Sequence, residues 1–175
     1  MRTDDSLLRD PTAEAAPARR PARTMPEDPK AGTLAVLDIG KMRCDKFSER
    51  LVEIFADRGY SVKYWQKPTN TRTAPVATLQ EIAAEADCLI VSLSDCGSCT
   101  SCSTHDLNDL DQRGVPGVSI LTEEFRDAFD RQCGSIGFDG RSIFVPHPIQ
   151  NRSDAEIRAL ADRFADEIEA VLTGR

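Results

Sequence analysis

Short apolar runs alternate along the chain with stretches in which apolar residues recur every three or four positions. A continuous apolar run is typical of a strand buried in a parallel sheet, and the longer period is typical of a helix with one buried face. The runs begin after residue 33. The predicted strands are residues 34–37, 60–65, 88–93, 118–121 and 142–145.

Helix-start motifs stand between and after these runs. Ser153 with Glu156, and Thr78 with Glu81, have the spacing of a capping box, which predicts the first residues of two helices. Strands that alternate with helices predict a parallel sheet covered on both faces. We therefore expect a doubly wound, five-stranded α/β domain of flavodoxin-like or Rossmann-like type, with strand order 2-1-3-4-5.

Residues 1–32 differ from the rest of the chain in composition and in apolar pattern. They are rich in Ala, Pro, Arg and Asp and show no periodic apolar pattern. A segment of that composition buries too little apolar surface to offset the entropy lost on ordering. The sequence thus predicts a disordered N-terminal tail over residues 1–32 and a single α/β domain over residues 33–175.

The net charge of −7 belongs entirely to residues 33–175, because acidic and basic side chains balance in residues 1–32. An acidic domain is a poor match for nucleic acid or for an anionic membrane surface. No apolar run is long enough to span a bilayer, and no secretory signal is evident. We expect a cytoplasmic protein with mostly reduced cysteines that acts on a small molecule. The sequence leaves open whether the protein uses a thiol reductant, needs a partner subunit or forms a homo-oligomer.

The sequence Asp-Cys-Gly-Ser-Cys at residues 95–99 stands between the third predicted strand and the helix after it. For the expected strand order, the point where the order reverses lies between strands one and three, and ligands bind there. Cys96 should fall at the start of the helix, where free N–H groups and the helix dipole favour a thiolate. The carboxylate of Asp95 would disfavour the thiolate by raising the pKa of the thiol, or it would instead transfer protons during the reaction.

Three interpretations of this loop stay open. In the first, which we favour, Cys96 is a nucleophile and Cys99 resolves its adduct as a disulfide, with no cofactor. In the second, Cys96, Cys99, Cys102 and His105 bind zinc or an iron–sulfur cluster. In the third, the cysteines only pack. A strand-to-helix turn favours the first, and the lack of a second separated ligand pair weighs against metal.

Other chemistry-bearing residues follow predicted strands. Lys41 and Arg43 come after the first strand and would hold an anionic group of a substrate. His147 stands between two prolines after the last strand and is a candidate acid or base. Backbone and hydroxyl groups of the loop itself complete the expected substrate-binding set, namely Gly97, Ser98 and Thr100.

The loop also resembles a known motif. The sequence Asp-Cys-Gly-Ser-Cys-Thr-Ser-Cys at residues 95–102 resembles that of the UGSC family of selenoproteins and their cysteine homologues, in which selenocysteine or cysteine precedes Gly-Ser-Cys. It is similar, too, to the selenocysteine segment of selenoprotein B of glycine/sarcosine/betaine reductase. The likeness continues through residues 113–116 and the Val-Pro-His-Pro of residues 145–148, and covers residues 34–150.

The resemblance implies that Cys96 stands where selenocysteine stands in the family. By analogy, Cys96 would attack carbon or a leaving heteroatom in a small substrate. The expected function is a thiol-dependent oxidoreductase that cleaves a carbon–heteroatom bond reductively, or transfers a thiol, with Asp95, Cys96, Cys99 and His147 as catalytic residues. The alternative is a metal- or thiol-binding accessory protein without turnover.

Overall fold

The computed structural model describes residues 17–175, and its strands and helices alternate along the chain. The strands are β1 (Arg20–Pro21), β2 (Thr33–Asp38), β3 (Ser61–Gln66), β4 (Cys88–Ser94), β5 (Gly117–Thr122), β6 (Phe138–Asp139) and β7 (Arg141–Val145). The helices are α1 (Cys44–Asp57), α2 (Val76–Glu85), α3 (Gly97–Gln112), α4 (Arg126–Ile136) and α5 (Asp154–Thr173), and a 3₁₀ turn spans Glu123–Phe125.

Five strands form one parallel sheet in the order β3-β2-β4-β5-β7. Numbered by their appearance in that sheet, they follow the expected order 2-1-3-4-5. The doubly wound prediction is confirmed. The chain order reverses at β2, which has β3 on one side and β4 on the other. The chain therefore leaves β2 and β4 towards helices on opposite faces of the sheet, α1 and α3, and a cleft is expected between the two loops.

Two apolar layers cover the sheet. On one face, α1 and α5 pack with side chains such as Phe47, Leu51 and Ile168. On the other, α2, α3 and α4 pack with side chains such as Leu107 and Phe129. Every residue of β4 and β5 is buried, as expected for strands in the middle of a covered sheet.

The two predicted capping boxes have different outcomes. At α5, the Ser153 side chain accepts from the Glu156 N–H, and the Glu156 carboxylate accepts from the Ser153 N–H, so that prediction is confirmed. At α2 it is wrong: the helix already begins at Val76, and Thr78 lies inside its first turn. Pro75 precedes the helix, and the fixed φ of proline suits a helix start.

The chain between residues 17 and 32 packs against the domain, which corrects the expectation of a disordered tail up to residue 32. β1 pairs in parallel with β6, and Met25 lies in the core. Arg20 makes an ion pair with the buried Asp111, whose other oxygen accepts from the Arg23 N–H at 2.9 Å. A segment that is held by charged contacts shows no apolar periodicity, so its attachment could not be detected from the apolar pattern of the sequence. The rest of the predicted tail, residues 1–16, lies outside the described residues.

The loop between β2 and α1 packs tightly against the segment that follows β3. Gly40 has φ +73°, and a Cβ there would overlap the Lys67 carbonyl, so this turn requires glycine. The turn directs Lys41 across the end of β2 towards β4. Within residues 17–175, no helix has the length and apolar character needed to cross a membrane.

Candidate functional site

Cys96 is the residue that precedes the first turn of α3. Its backbone is extended, and its sulfur accepts a hydrogen bond from the Cys99 N–H at 3.3 Å, so a cysteine here takes the place of the usual Ser, Thr or Asp cap. The Cys96 carbonyl accepts from the Thr100 N–H at 3.0 Å. The Cys96 sulfur therefore sits at the positive end of the helix, which favours its thiolate form.

Cys96 and Cys99 are joined as a disulfide, with 5.5 Å between their Cα atoms. The two ends of this disulfide are exposed to different extents. Cys96 is partly exposed, whereas Cys99 is fully buried against the apolar layer of α2 and α3. The predicted pairing of these two cysteines is thus compatible with the start of α3, and only one of the two sulfurs faces the cleft.

Lys41 reaches this disulfide from the opposite side of the cleft. Its ammonium makes an ion pair with Asp95 and lies 3.8 Å from the Cys99 sulfur. The pair is largely buried, with Lys41 13% exposed and Asp95 2% exposed. Lys41 is in the expected cleft, but its charge is already committed to a carboxylate and a sulfur of the protein.

Arg43 leaves the cleft. Its guanidinium makes an ion pair with Asp154 at the start of α5, at 3.0 Å, and its backbone has φ 70°. The positive φ rotates the chain at the start of α1 and carries the side chain towards α5. Among residues 17–175, no hydrogen bond or ion pair joins the Arg43 side chain to Lys41, Cys96 or Cys99, so the geometry does not support its expected part in binding substrate.

The three remaining residues of the expected substrate-binding set differ in access. The Thr100 hydroxyl is buried and donates to the Cys96 carbonyl at 2.8 Å, which makes it part of the helix start. Gly97 and Ser98 are exposed, and Ser98 Oγ lies 3.5 Å from the Cys96 sulfur. Their N–H groups belong to the first turn, where a helix has no internal acceptors for them.

His147 follows β7 at the same edge of the sheet but two strands away from β4. Neighbouring strands are about 4.8 Å apart, which puts the ends of β4 and β7 about 10 Å from one another. His147 Nδ1 is within hydrogen-bonding distance of Thr122 Oγ1, at 3.1 Å, and its ring packs edge-on against Phe125. It thus lies at the same edge of the sheet as Cys96, and among residues 17–175 its side chain has no hydrogen bond to the disulfide.

The proposed four-residue metal set is not brought together. Within residues 17–175, the group close enough to share one ion consists of Asp95, Cys96 and Cys99, whose potential ligand atoms lie within 4.8 Å of one another. Cys102 is one helical turn further along α3. His105 is exposed and forms a hydrogen bond with Gln132. A metal would therefore have to use a carboxylate and the two thiolates of the reduced loop.

The other cysteines are suited to packing. Cys44 is buried and donates to the Leu93 carbonyl at 3.1 Å, and burial raises its pKa well above the ordinary value. Burial raises the pKa of Cys88 to about 12. The pKa values of Cys102 and Cys133 are also raised by burial. These thiols stay protonated near neutral pH, which sets them apart from a cysteine at a helix start.

Asp38 adds a buried carboxyl group at the end of β2, near the loop that carries Lys41. It ends β2, is fully buried, and accepts from the Tyr64 hydroxyl and the Gly40 N–H, each at 2.7 Å. Burial raises the pKa of Asp38, and the hydrogen bonds from Gly40 and Tyr64 oppose that shift. The carboxylate ties the β2–α1 loop to the edge strand β3.

Sequence reasoning missed a buried ion pair beside the site. Lys67 Nζ lies 2.6 Å from Asp106 Oδ2, and both side chains are 0% exposed. The other Asp106 oxygen accepts from the Ala74 N–H at 2.7 Å, which fixes the segment between β3 and α2 on α3. Polar residues on the buried face of α3 were the feature of the sequence that could have indicated a buried ion pair.

Solved structures with a similar fold were found, and the three described here have low sequence identity to this chain. A flavo-di-iron protein variant from Thermotoga maritima is 12% identical with a TM-score of 0.51, over 81% of this chain and 37% of that one. The chain therefore spans little more than a third of that protein, and the likeness shows the fold alone.

Two further structures align over most of their own length. Diflavin flavoprotein A3 from Nostoc sp. is 11% identical, with a TM-score of 0.44, over 80% of this chain and 93% of that one. A flavodoxin variant from Pseudomonas aeruginosa is 13% identical, with a TM-score of 0.44, over 78% of this chain and 99% of that one. Among curated proteins, none matches this sequence.

One family model matches almost the whole chain, from residue 7 to residue 174, and its description is the UGSC family. The match agrees with the motif that the cysteine loop carries. The similarity of that loop to selenoprotein B has no support in these comparisons and stays a hypothesis. The chain belongs to the UGSC family.

Proposed function

We propose that this protein is a thiol-dependent oxidoreductase in which Cys96 attacks a small substrate and Cys99 resolves the adduct. One observation carries the proposal: a cysteine at the start of α3, in a cleft at the switch point of the sheet, is joined to a second cysteine that is buried. Two thiols so placed can exchange one disulfide without large movement of the backbone.

The reaction that fits is a two-electron reduction of the substrate. The Cys96 thiolate displaces a heteroatom group from the substrate carbon, and that group leaves with its bonding electron pair. The Cys99 thiolate then attacks the Cys96 sulfur, the carbon leaves with the pair of the carbon–sulfur bond, and it takes up a proton. The protein ends as the disulfide, which an external dithiol must reduce before the next turnover.

This chemistry restricts the substrate. A carbon can leave with an electron pair only where a neighbouring carbonyl, or a carboxylate whose charge is offset by hydrogen-bond donors, stabilises the charge. The exposed N–H groups of Gly97 and Ser98 lie beside the Cys96 sulfur and are suited to such an oxygen. A substrate attacked at the carbon next to a carboxylate therefore agrees with the cleft better than one held by Lys41 and Arg43. In thiol transfer, Cys96 attacks a sulfur atom of the substrate and not a carbon, so no carbanion has to leave.

The test is covalent trapping of the fully reduced proteins with glutathione disulfide, followed by peptide mass. The Cys99→Ser protein should keep glutathione on Cys96, because no second thiol displaces it. The wild type should instead release glutathione and end as the Cys96–Cys99 disulfide. The Cys96→Ser protein should take up none at residue 99, which is buried. Equal glutathione on both single variants would contradict the proposal.

The cluster of Asp95, Cys96 and Cys99 supports a second candidate, a metal-binding accessory protein. A reduced loop offers two thiolates and one carboxylate, a set that zinc accepts. Metal analysis of protein purified anaerobically under reducing conditions separates the two. About one zinc per chain, lost in both Cys96→Ser and Cys99→Ser, would favour the second candidate.

A further inference from the structure

The two sulfurs of the disulfide have different polar neighbours. The Cys96 sulfur lies 3.3 Å from the Cys99 N–H and 3.5 Å from Ser98 Oγ, both belonging to the start of α3. The Cys99 sulfur lies 3.3 Å from the Cys96 carbonyl and 3.8 Å from Lys41 Nζ. The helix start therefore stabilises charge on Cys96, and an ammonium from another element stabilises charge on Cys99.

Lys41 is held in this position by its own environment. The flexible stem of a lysine would ordinarily carry the ammonium to solvent. Here Asp95, 2% exposed, makes an ion pair with it, and the turn at Gly40 directs the side chain across the cleft. An ammonium that is buried and fixed interacts with a nearby anion more strongly than one in water does.

We infer that Lys41 serves Cys99 and not the substrate: its ammonium stabilises the Cys99 thiolate, both when that thiolate resolves an adduct on Cys96 and when it leaves during recycling. Asp95 is a positioning residue that holds Lys41. The inference rests on the proposed dithiol function. It also specifies which sulfur the reductant attacks during recycling. Because Cys99 is the sulfur that leaves, the reducing thiol forms its mixed disulfide with Cys96.

In the recycling step, an electron pair passes from the external dithiol to the disulfide through Cys96. A thiolate of the external dithiol attacks the Cys96 sulfur and forms a mixed disulfide, and the Cys99 sulfur leaves with the electron pair of the broken bond beside Lys41. The second thiol of the reductant loses its proton and attacks the reductant's first sulfur, which is bonded to Cys96 in the mixed disulfide. Cys96 leaves as a thiolate, and the reductant departs as its disulfide. Attack on the Cys99 sulfur is prevented by its burial.

A chromogenic aromatic disulfide, Ellman's reagent, separates the two thiol steps in time. Reduced Cys96 attacks the reagent and releases one coloured thiolate at a rate that depends on reagent concentration. Cys99 then attacks Cys96 and releases a second coloured thiolate at a rate that does not. All proteins compared should carry Cys102→Ser, because that thiol is partly exposed and would add to the colour.

Removing the ammonium should slow the second release and leave the first nearly unchanged. For Lys41→Met we expect the second release to slow by roughly tenfold to a hundredfold, the range expected for one charged hydrogen bond. Lys41→Arg keeps the charge and should retain most of the rate. Arg43→Ala is the matched control, since it removes a neighbouring cation that faces Asp154, and both releases should match the parent.

The double variant Lys41→Met/Asp95→Asn guards against a folding defect, because it removes both charges of the pair and leaves no unpaired carboxylate. It should show the same slow second release. If both Lys41→Met proteins resolve at the parental rate, or if the first release slows as much as the second, the inference is wrong. If instead Cys96 gives no first release in the parent, the proposed function itself fails.

Discussion

The ammonium nitrogen of Lys41 lies 3.8 Å from the Cys99 sulfur, and the same nitrogen makes an ion pair with Asp95. This relationship joins the loop after β2 to the first turn of α3 across the switch point of the sheet. It brings a cation, a carboxylate and two cysteines into one cleft. The cation contacts the buried member of the disulfide, which is why a role in binding substrate is the weaker interpretation.

The six cysteines should differ sharply in reactivity after reduction. With limiting iodoacetamide near neutral pH, Cys96 should be labelled first, because it is partly exposed at a helix start. Cys88, whose pKa is raised to about 12, and the buried Cys44 should label only after unfolding. Peptide mass over a time course checks the order. Early labelling of Cys44 with Cys96 untouched would identify a different nucleophile.

The buried pair Lys67–Asp106 should matter for folding more than any ion pair at the surface. Asp106→Ala leaves a fully buried ammonium without its partner and should lower the free energy of unfolding by about 3–5 kcal/mol. The double variant Lys67→Met/Asp106→Leu removes both charges and should recover most of that loss. Urea denaturation measures both. A double variant as unstable as the single one would show that the pair itself, and not the orphaned charge, sets the stability.

Asp38 should give the protein a distinct pH dependence. Its pKa is raised in the folded state by burial, so the folded protein binds the Asp38 proton more tightly than the unfolded chain does. Its contribution to stability is therefore complete at pH values below the unfolded pKa, and it is lost as the pH rises through the folded pKa.

Comparison with Asp38→Asn isolates this contribution, since other titrating groups are common to both proteins. The wild type should gain unfolding free energy relative to Asp38→Asn as the pH falls from neutral towards 4. Chemical denaturation across that range measures the difference. A difference that is constant with pH, or that changes in the opposite direction, would contradict a raised pKa.

The segment 17–32 should be released when its anchor is removed. Asp111 is fully buried, makes an ion pair with Arg20 and accepts from the Arg23 N–H, while its carbonyl accepts from Arg23 Nε at 2.7 Å. Asp111→Ala should make trypsin cleavage after Arg19 and Arg23, neither of which precedes a proline, much faster than in the wild type. Asp109→Ala is the control, because that side chain pairs with the exposed Arg113. Equal cleavage in all three proteins would mean that the segment is held by other contacts.

The sheet and its order could be predicted because buried parallel strands leave continuous apolar runs, and right-handed crossovers allow few arrangements of them. The position of Cys96 followed from the same logic, since a short segment between a strand and a helix must place a residue at the helix start. The start of α2 did not follow, because Pro75 and the Asp106 carboxylate, which accepts from the Ala74 N–H, arrange the chain ahead of Thr78.

The partners of charged residues could not be predicted, because they come from elements distant in sequence. Lys41 and Arg43 are two positions apart and were expected to act together. The positive φ at Arg43 sends one towards Asp154, whereas the other faces Asp95. The anchoring of Arg20 on Asp111 escaped notice for the same reason. Its segment is polar, and the partner of Arg20 is a buried carboxylate of α3, 91 positions further along the chain.

If Cys96 carries substrate and Cys99 releases it, a protein that lacks the Cys99 thiol should retain the substrate on Cys96. The most direct measurement is the mass of the reduced Cys99→Ser protein, intact and as peptides, after incubation with the small-molecule fraction of a cell extract. We expect a discrete mass increase located on Cys96, absent from Cys96→Ser and from the wild type under the same conditions. An unmodified Cys96 in the Cys99→Ser protein, or the same adduct in Cys96→Ser, would contradict it.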